Sequence, residues 1–214
     1  MKNTLCLLSL GALSPAVWAL DAADQQRLND IQQRWAHIQY ELPADQRAAK
    51  FEQLDTQASA GSQGRQAVAE AWIWSGIVTS SWAGAQGGLG ALSKVKEAKI
   101  DLEKALSLDP KALQGSAYTS LAALYDRVPG WPIGFGDSDK AQQLLEQALQ
   151  LNPDGIDSLY FWGDHLYRQK RYPQARQALQ KALQAAPRPG RETADAGRRT
   201  EIEALLQQVN QKLD

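Results

Sequence analysis

Side chains that commonly do catalytic or metal chemistry are scarce in this chain of 214 residues. The two histidines are His37 and His165, and Asp164 directly precedes His165. Neighbouring residues on a helix point about 100° apart, so Asp164 and His165 do not form an acid–base pair by themselves. Neither histidine has the His-x-x-x-His partner that would place two imidazoles on one metal. These residues predict neither a general base nor a metal site.

The glycines from Gly84 to Gly90 are the next pattern with chemical potential, because glycine-rich loops can cradle phosphates. Their spacing fits neither of the common nucleotide-binding patterns, and no strand is predicted before them. Close backbone approach or a flexible lid is the better interpretation. Since no nucleophile motif is present either, we expect a protein that is not an enzyme and carries no cofactor.

The N-terminal segment has the pattern of a secretory signal peptide. Lys2 precedes an apolar run from Thr4 to Val17, and Val17-Trp18-Ala19 resembles a cleavage site. The run is too short for a membrane-spanning helix. We therefore predict a signal peptide over residues 1–19, cleavage after Ala19, and a periplasmic or secreted protein.

Cleavage would remove Cys6, the single cysteine, so the mature chain would have no disulfide and no thiolate metal site. Cys6 lies before most of the apolar run, which does not suit a lipidated cysteine. The mature chain would carry 22 basic and 24 acidic residues. This balance offers no electrostatic basis for binding nucleic acid or an anionic membrane.

Helical periodicity dominates the rest of the sequence. We predict an N-terminal helix pair over residues 20–64 and a third helix from Arg65 to Ser80. A further helix from Lys111 to Asp126 follows, and Ser138 or Asp139 would cap the helix after the second loop. Over residues 191–214 we predict a capping helix whose apolar face holds Ile202, Leu205, Leu206, Val209 and Leu213.

Three similar strings organise the middle of the chain: LEKALSLDP, LEQALQLNP and LQKALQAAP. They end at Pro110, Pro153 and Pro187, so the last two prolines lie 34 residues apart and the first two 43. A period of 34 residues is typical of the tetratricopeptide repeat, a helix–turn–helix unit.

The sequence resembles tetratricopeptide repeats position by position. In the last unit, Trp162-Gly163 matches the large residue and glycine of the first helix. Ala175, Leu179 and Ala182 match the small, large and small positions of the second. The resemblance implies an all-α fold, a TPR-like α-solenoid of antiparallel helix pairs. Three repeats would occupy residues 65–190.

Two units are longer than the last one. The extra residues are predicted as loops over 82–93 and 128–139, at the same turn of consecutive repeats. Stacking would place both insertions on one edge of the solenoid, where insertions often build a binding face.

A narrower resemblance rests on GGLGALSKVKEAK, VPGWPIGFGD and NPDGIDSLYFWGD. With the signal peptide, these strings are similar to exported bacterial proteins related to the T component of TRAP (tripartite ATP-independent periplasmic) transporters. The resemblance implies a central cavity or pore and a periplasmic solute-binding protein as partner.

Candidate binding residues follow from the insertions and from the first helices of the repeats. We interpret Trp131, Phe135 and Asp137 as a lip over a groove, or alternatively as a packed loop in which Trp131 fills the core and Asp137 caps the next helix. The full candidate set for a partner protein, peptide or ligand is Trp82, Tyr118, Asp126, Trp131, Phe135, Asp137, Tyr160, Asp164, Tyr167 and Arg168.

Repeat geometry also predicts which residues line the concave face, although simple solvation of that face is an equally open interpretation. The predicted positions are Glu70, Ile73, Ile77, Ser80, Ser116, Thr119, Ala123, Asp126, Asp157, Tyr160, Asp164 and Tyr167. The leading hypothesis is a non-enzymatic protein-interaction scaffold. The alternative is a carrier of a small apolar or amphipathic ligand, in a pocket lined by Trp72, Trp74, Trp82 and Trp131. The sequence leaves the oligomeric state open.

Overall fold

The computed structural model describes residues 20–88 and 90–214, and in this part of the chain all regular secondary structure is helical. The predicted signal peptide, residues 1–19, lies outside the described residues. None of the described helices combines the length and apolarity that a membrane crossing needs. The helices are α1 (Ala22–Tyr40), α2 (Ala44–Gly64), α3 (Ala69–Gln86), α4 (Ala91–Leu108), α5 (Ser116–Arg127), α6 (Ser138–Leu151), α7 (Ile156–Arg168), α8 (Tyr172–Leu183) and α9 (Glu192–Asn210), with a short 3-10 turn over Ala112–Gly115.

Small residues let the two helices of a repeat approach closely. Gly76 of α3 faces Leu102 of α4, where an added Cβ would lie 2.7 Å from Leu102 Cγ. Gly163 of α7 faces Leu179 of α8 in the same way, at 2.6 Å from Leu179 Cγ. Both leucines are fully buried, so the large residue of one helix fills the space that the glycine of the other leaves. This packing confirms the TPR-like α-solenoid that the sequence predicts.

The odd-numbered helices form an inner ring. Helix α1 contacts α3, α3 contacts α5, α5 contacts α7, α7 contacts α9, and α9 returns to α1. Each even-numbered helix packs outside, against the two inner helices on either side of it. The C-terminal helix therefore covers the last repeat, as predicted, and also closes the solenoid on its own N-terminal helix.

Contacts between α1 and α9 make this closure specific. Gly197 lies so close to the ring of Tyr40 that a Cβ there would come within 2.2 Å of two ring carbons. The Tyr40 hydroxyl donates to Glu201 Oε2 at 3.3 Å, and the Thr193 hydroxyl donates to Glu41 Oε1 at 3.2 Å. The Tyr40 ring therefore packs directly against the backbone of α9 at Gly197.

Three predicted boundaries are wrong. The loop predicted over 82–93 is largely helix: α3, predicted over Arg65–Ser80, runs over Ala69–Gln86, and α4 starts at Ala91. Gly87, with φ of +64°, ends α3 because its left-handed conformation cannot continue a helix. The helix predicted from Lys111 starts only at Ser116. Leu113 and Gln114 adopt positive φ before it, so tertiary packing overrides their helix propensity.

The cap of α6 is also one residue earlier than the prediction of Ser138 or Asp139. The Asp137 side chain accepts a hydrogen bond of 3.0 Å from the backbone N–H of Lys140 and is the N-cap of α6. The carboxylate satisfies one of the free N–H groups of the first turn. This confirms the capping interpretation of Asp137.

Candidate functional site: a central cavity and an exposed loop

A cavity of about 1180 Å³ occupies the centre of the ring. All five inner helices line it, through residues such as Trp35, Trp74, Thr119, Tyr160 and Arg198. Typical small-molecule pockets measure roughly 300–1,000 Å³, so this volume suffices for a ligand of drug size or larger. Parts of both insertions also line the cavity, namely Gly84, Ala85, Gly88, Ala91, Leu92, Val128, Pro129 and Ile133.

One side of the cavity is apolar and aromatic. Trp35 and Trp74 pack edge to face, with ring centroids 5.8 Å apart, and Tyr40 adds a second edge contact to Trp35. Further along the wall lie Ile77, Leu92, Val95, Ile133 and Phe161. These side chains can bury a hydrocarbon or aromatic ligand body.

The other side holds an ion network between α7 and α9. Asp157 accepts from Arg198 Nε at 2.8 Å and from Arg188 Nη1 at 2.7 Å. Burial alone would raise the pKa of Asp157, but the two arginines outweigh it and lower that pKa to about 2. Arg198 also pairs with Glu201 at 2.5 Å and lies over the Tyr160 ring. The network fixes two guanidinium groups at the cavity wall.

Arg191 belongs to the same wall but has no such partner. Within the described residues its side chain makes no hydrogen bond or ion pair, and its buried Nε is unsatisfied. The guanidinium carbon lies 5.2 Å from the centroid of the Trp74 ring. Burial, and then repulsion from Arg188, lower the pKa of Arg191. A guanidinium without a direct hydrogen-bond or ion-pair partner among the described residues therefore stands beside an aromatic ring at the cavity.

Several predicted groove residues do not line the cavity, because they pair between helices instead. Asp164 accepts from Arg127 Nη2 at 2.8 Å and from Arg168 Nε at 3.2 Å. Asp126 lies 2.9 Å from the Nδ1 of His165, whose ring stacks on Trp162. These residues join α5 to α7, so their ion pairs, which sequence spacing could not show, position the inner helices.

The remaining predicted residues are divided between the cavity wall and the surface. Of the candidate set, Tyr160 lines the cavity. Tyr118 packs against the main core, and Tyr167 pairs with Tyr172 at 5.7 Å. The Trp82 ring lies 3.2 Å from Lys94 Nζ, outside the cavity lining.

The predicted concave face lines the cavity only in part, and so do the tryptophans of the alternative pocket. Of the concave positions, Ile77, Ser80, Ser116, Thr119, Ala123, Asp157 and Tyr160 contribute to the wall. Glu70, Ile73, Asp126, Asp164 and Tyr167 do not. Of the predicted tryptophans only Trp74 lines the cavity, where it is joined by Trp35, while Trp72, Trp82 and Trp131 lie elsewhere.

The second insertion presents an exposed tryptophan. Trp131 is 90% exposed and Ile133 is 66% exposed, so the interpretation in which Trp131 fills the core is wrong. Phe135 does pack, with its ring 5.4 Å from that of Tyr125. The loop is also held by hydrogen bonds from the N–H of Gly136 to the carbonyl of Pro129 and from the N–H of Asp137 to the carbonyl of Tyr125. An ordered loop therefore exposes two large apolar side chains, of which Trp131 lies outside the cavity lining and Ile133 is part of it.

Sequence reasoning missed the arginines of the cavity. Arg47, Arg127, Arg188, Arg191 and Arg198 all line it, against Asp154, Asp157 and Glu201. The string RPGRETADAGRR contains three of these arginines, and its density of positive charge was the available signal. Across the described residues, no three His, Cys, Asp or Glu side chains are grouped to hold a metal ion.

Two segments of the chain match known family models, and together they include both outer and inner helices. Residues 133–188, which cover α6, α7 and α8, match a tetratricopeptide-repeat family model, and a second such model matches residues 89–112, which cover α4. No curated protein matches the chain. Tetratricopeptide repeats typically serve as non-catalytic scaffolds for protein partners. Over these two segments the chain is similar to tetratricopeptide repeats.

Proposed function

We propose that this protein is an exported, non-enzymatic scaffold that holds a partner protein at its second insertion loop. The exposed pair Trp131 and Ile133 carries the proposal. Tryptophan is enriched among the few residues that dominate binding energy at protein interfaces. Because Phe135 and the loop hydrogen bonds already order this segment, binding would cost little conformational entropy.

The partner and compartment in this proposal come from the sequence. The signal-peptide pattern supports a periplasmic location, and the similarity to T components of TRAP transporters supports a periplasmic solute-binding protein as the partner. N-terminal sequencing of the protein from periplasmic fractions should begin at Leu20. A mature chain that begins elsewhere, or an absence from that fraction, would contradict the location.

Photocrosslinking tests the docking surface directly. We would place a benzophenone amino acid at position 131 and, in a matched control, at Ile100, which is 63% exposed on α4. Purified TRAP-type solute-binding protein from the same organism should crosslink at position 131 and not at 100. Equal crosslinking at the two positions, or none at 131, would argue against this partner.

Trp131→Ala provides the quantitative prediction for this surface. Removing an exposed anchor should weaken binding of that partner by about 2 kcal/mol or more, roughly 30-fold, whereas Ile100→Ala should leave affinity unchanged. The stability of the free protein should change by less than about 0.5 kcal/mol, because Trp131 contacts little in the folded chain. Calorimetric titration and urea denaturation give the two values. Unchanged affinity would remove Trp131 from the interface.

A second candidate function is the carriage of a small apolar or amphipathic ligand. The cavity of about 1180 Å³ favours it, because the inner ring encloses apolar and aromatic walls that a folded partner could not enter. Binding of a neutral apolar probe, decanol, followed by tryptophan fluorescence and calorimetry, tests this function. Trp35 and Trp74 line the cavity and would report occupancy. A protein that binds no decanol would not be such a carrier.

A further inference from the structure

We propose that the central cavity binds an amphipathic monoanion, with its carboxylate on Arg191 beside Trp74 and its apolar body along the aromatic wall. The inference rests on the carrier function and specifies the class of ligand. It depends on which arginines of the cavity wall are already paired and on two polar groups that have no partner in the described part of the chain.

Ion pairs and hydrogen bonds identify which arginines are available. Arg127, Arg188 and Arg198 are each paired with a carboxylate: with Asp164, with Asp157 and Asp195, and with Asp157 and Glu201 respectively. Arg47 donates from Nε to the carbonyl of Leu42 at 2.9 Å. Arg191 has neither kind of partner among the described residues. Because the Arg191 side chain has no such partner, its donors can bind the oxygens of an incoming anion.

Trp74 supplies the second, independent observation. Its side chain is 3% exposed and lines the cavity, yet the indole Nε1 has no acceptor in the described part of the chain. A buried donor left unpaired costs free energy that an incoming acceptor would recover. Trp74 and Arg191 are in contact through the ring face, so two unsatisfied donor side chains adjoin at one place.

The geometry favours a carboxylate with an apolar body. A planar guanidinium matches the two oxygens of a carboxylate, and the Arg191 side chain has no partner among the described residues that would compete for them. From Trp74 the wall continues through Trp35, Ile77 and Phe161, which would cover a hydrocarbon chain or ring system. A multiply charged head group fits this wall less well, because Arg188 and Arg198 are already paired with carboxylates and Asp157 and Glu201 also line the cavity.

Paired ligands of equal chain length test the proposal. Decanoate and decanol would be titrated at pH 7 into the full mature protein by calorimetry. We expect decanoate to bind at least roughly tenfold more tightly than decanol, because the charge-assisted hydrogen bond adds to the same apolar burial. Arg191→Gln should reduce decanoate affinity to that of decanol and leave decanol binding unchanged.

Two further variants serve as controls for misfolding and for general effects of removing a positive charge. Arg176→Gln removes an exposed arginine on α8 that does not line the cavity, and it should preserve the preference for decanoate. Arg191→Lys keeps the charge without the planar pair of donors and should restore part of the preference. Circular dichroism would establish that each variant is folded.

The outcomes separate this inference from the functions on which it stands. Decanol binding without any preference for decanoate would overturn the carboxylate site and leave the carrier function intact. Failure of both ligands to bind would overturn both. An equal loss of both ligands in Arg191→Gln would also overturn the site, since Arg191 would then support the cavity rather than the charge. None of these results would test the binding of a partner protein at Trp131.

Discussion

Acidic residues on the inner helices of this protein serve mainly to join one helix to the next. Asp126 pairs with His165, and Asp164 pairs with Arg127 and Arg168. Repeat geometry alone would place both aspartates on a free concave surface. In the structure both carboxylates already accept hydrogen bonds, so they have little to offer a ligand. Among the described residues, Asp24, Trp74, His165 and Arg191 have a buried polar atom without a hydrogen-bond partner. Of these four, Trp74 and Arg191 line the cavity, and no repeat pattern singles them out.

Gly76 tests the close packing of a helix pair at the scale of one residue. In Gly76→Ala the new Cβ would lie 2.7 Å from Leu102 Cγ and 3.0 Å from the carbonyl oxygen of Ala98, which is backbone and cannot turn aside. We expect destabilisation by roughly 1–3 kcal/mol, as for other overpacked cores. Urea denaturation provides the measurement.

Gly84→Ala is the matched control on the same helix. No atom lies within 4 Å of its added Cβ, so the helix propensity of alanine should leave stability unchanged or raise it by up to about 1 kcal/mol. Equal losses in the two variants would mean that backbone conformation, and not contact with α4, governs both positions.

At the scale of elements, the sequence predicts what local periodicity encodes. Trp162-Gly163 and Ala175-Leu179-Ala182 mark a helix pair because small and large residues must alternate across its interface. Leu113 and Gln114 show the limit of this logic. Both are good helix formers, yet they adopt φ of 46° and 55° because the turn between α4 and α5 is set by packing. In α3 the helix instead extends beyond its predicted end, because Trp82 and Ala83 continue its apolar pattern.

The ion network between α7 and α9 should make stability depend on pH in the acid range. The pKa of Asp157 is about 2 in the folded protein and about 4 in an unfolded chain. Because the folded pKa is the lower one, the stabilisation is complete above pH 4 and is lost as pH falls towards 2. Its size is at most about 2 kcal/mol, since the side chain is partly exposed and solvent screens the pair.

Asp157→Asn isolates this contribution. The variant should be less stable than the parent at pH 6, and the difference should shrink on acidification to pH 2. Asp154→Asn is the control, because Asp154 is exposed and, in the described part of the chain, its carboxylate pairs with Lys181 alone. Denaturant titrations across that pH range would measure the effect. A difference that is constant with pH would show that the lost hydrogen bonds, rather than the charge, matter.

The whole molecule differs from a plain repeat array by its closure. Helices α1 and α9 are the ends of the described chain, and their contact turns a concave surface into the wall of a cavity. Such a contact joins residues about as far apart in sequence as the chain permits, for example Tyr40 and Glu201. Local patterning carries no signal for it, which is why the sequence predicts α9 as a cap but not as a closure.

Substitution of Gly197 tests whether the contact between α1 and α9 closes the cavity. The Tyr40 ring rests on Gly197, and a side chain there would occupy the position of ring carbons. In Gly197→Val we therefore expect α1 to separate from α9 and the cavity to open. Acrylamide should then quench the fluorescence of Trp35 and Trp74 more strongly, and small-angle scattering should give a larger radius of gyration.

Ala196→Val separates this effect from a general loss of helix propensity. Ala196 is the exposed neighbour on α9, so valine there has the same β-branched cost without meeting Tyr40. Quenching and radius should match the parent protein. If Gly197→Val also matched the parent protein, Tyr40 would have turned aside and the ring of inner helices would be held closed by other α1–α9 contacts.

Closure by Tyr40 predicts a further result for ligand binding. Because the inner helices that Tyr40 holds together line the cavity, Gly197→Val should weaken the binding of decanol and decanoate together, whereas Arg191→Gln should weaken the binding of decanoate alone.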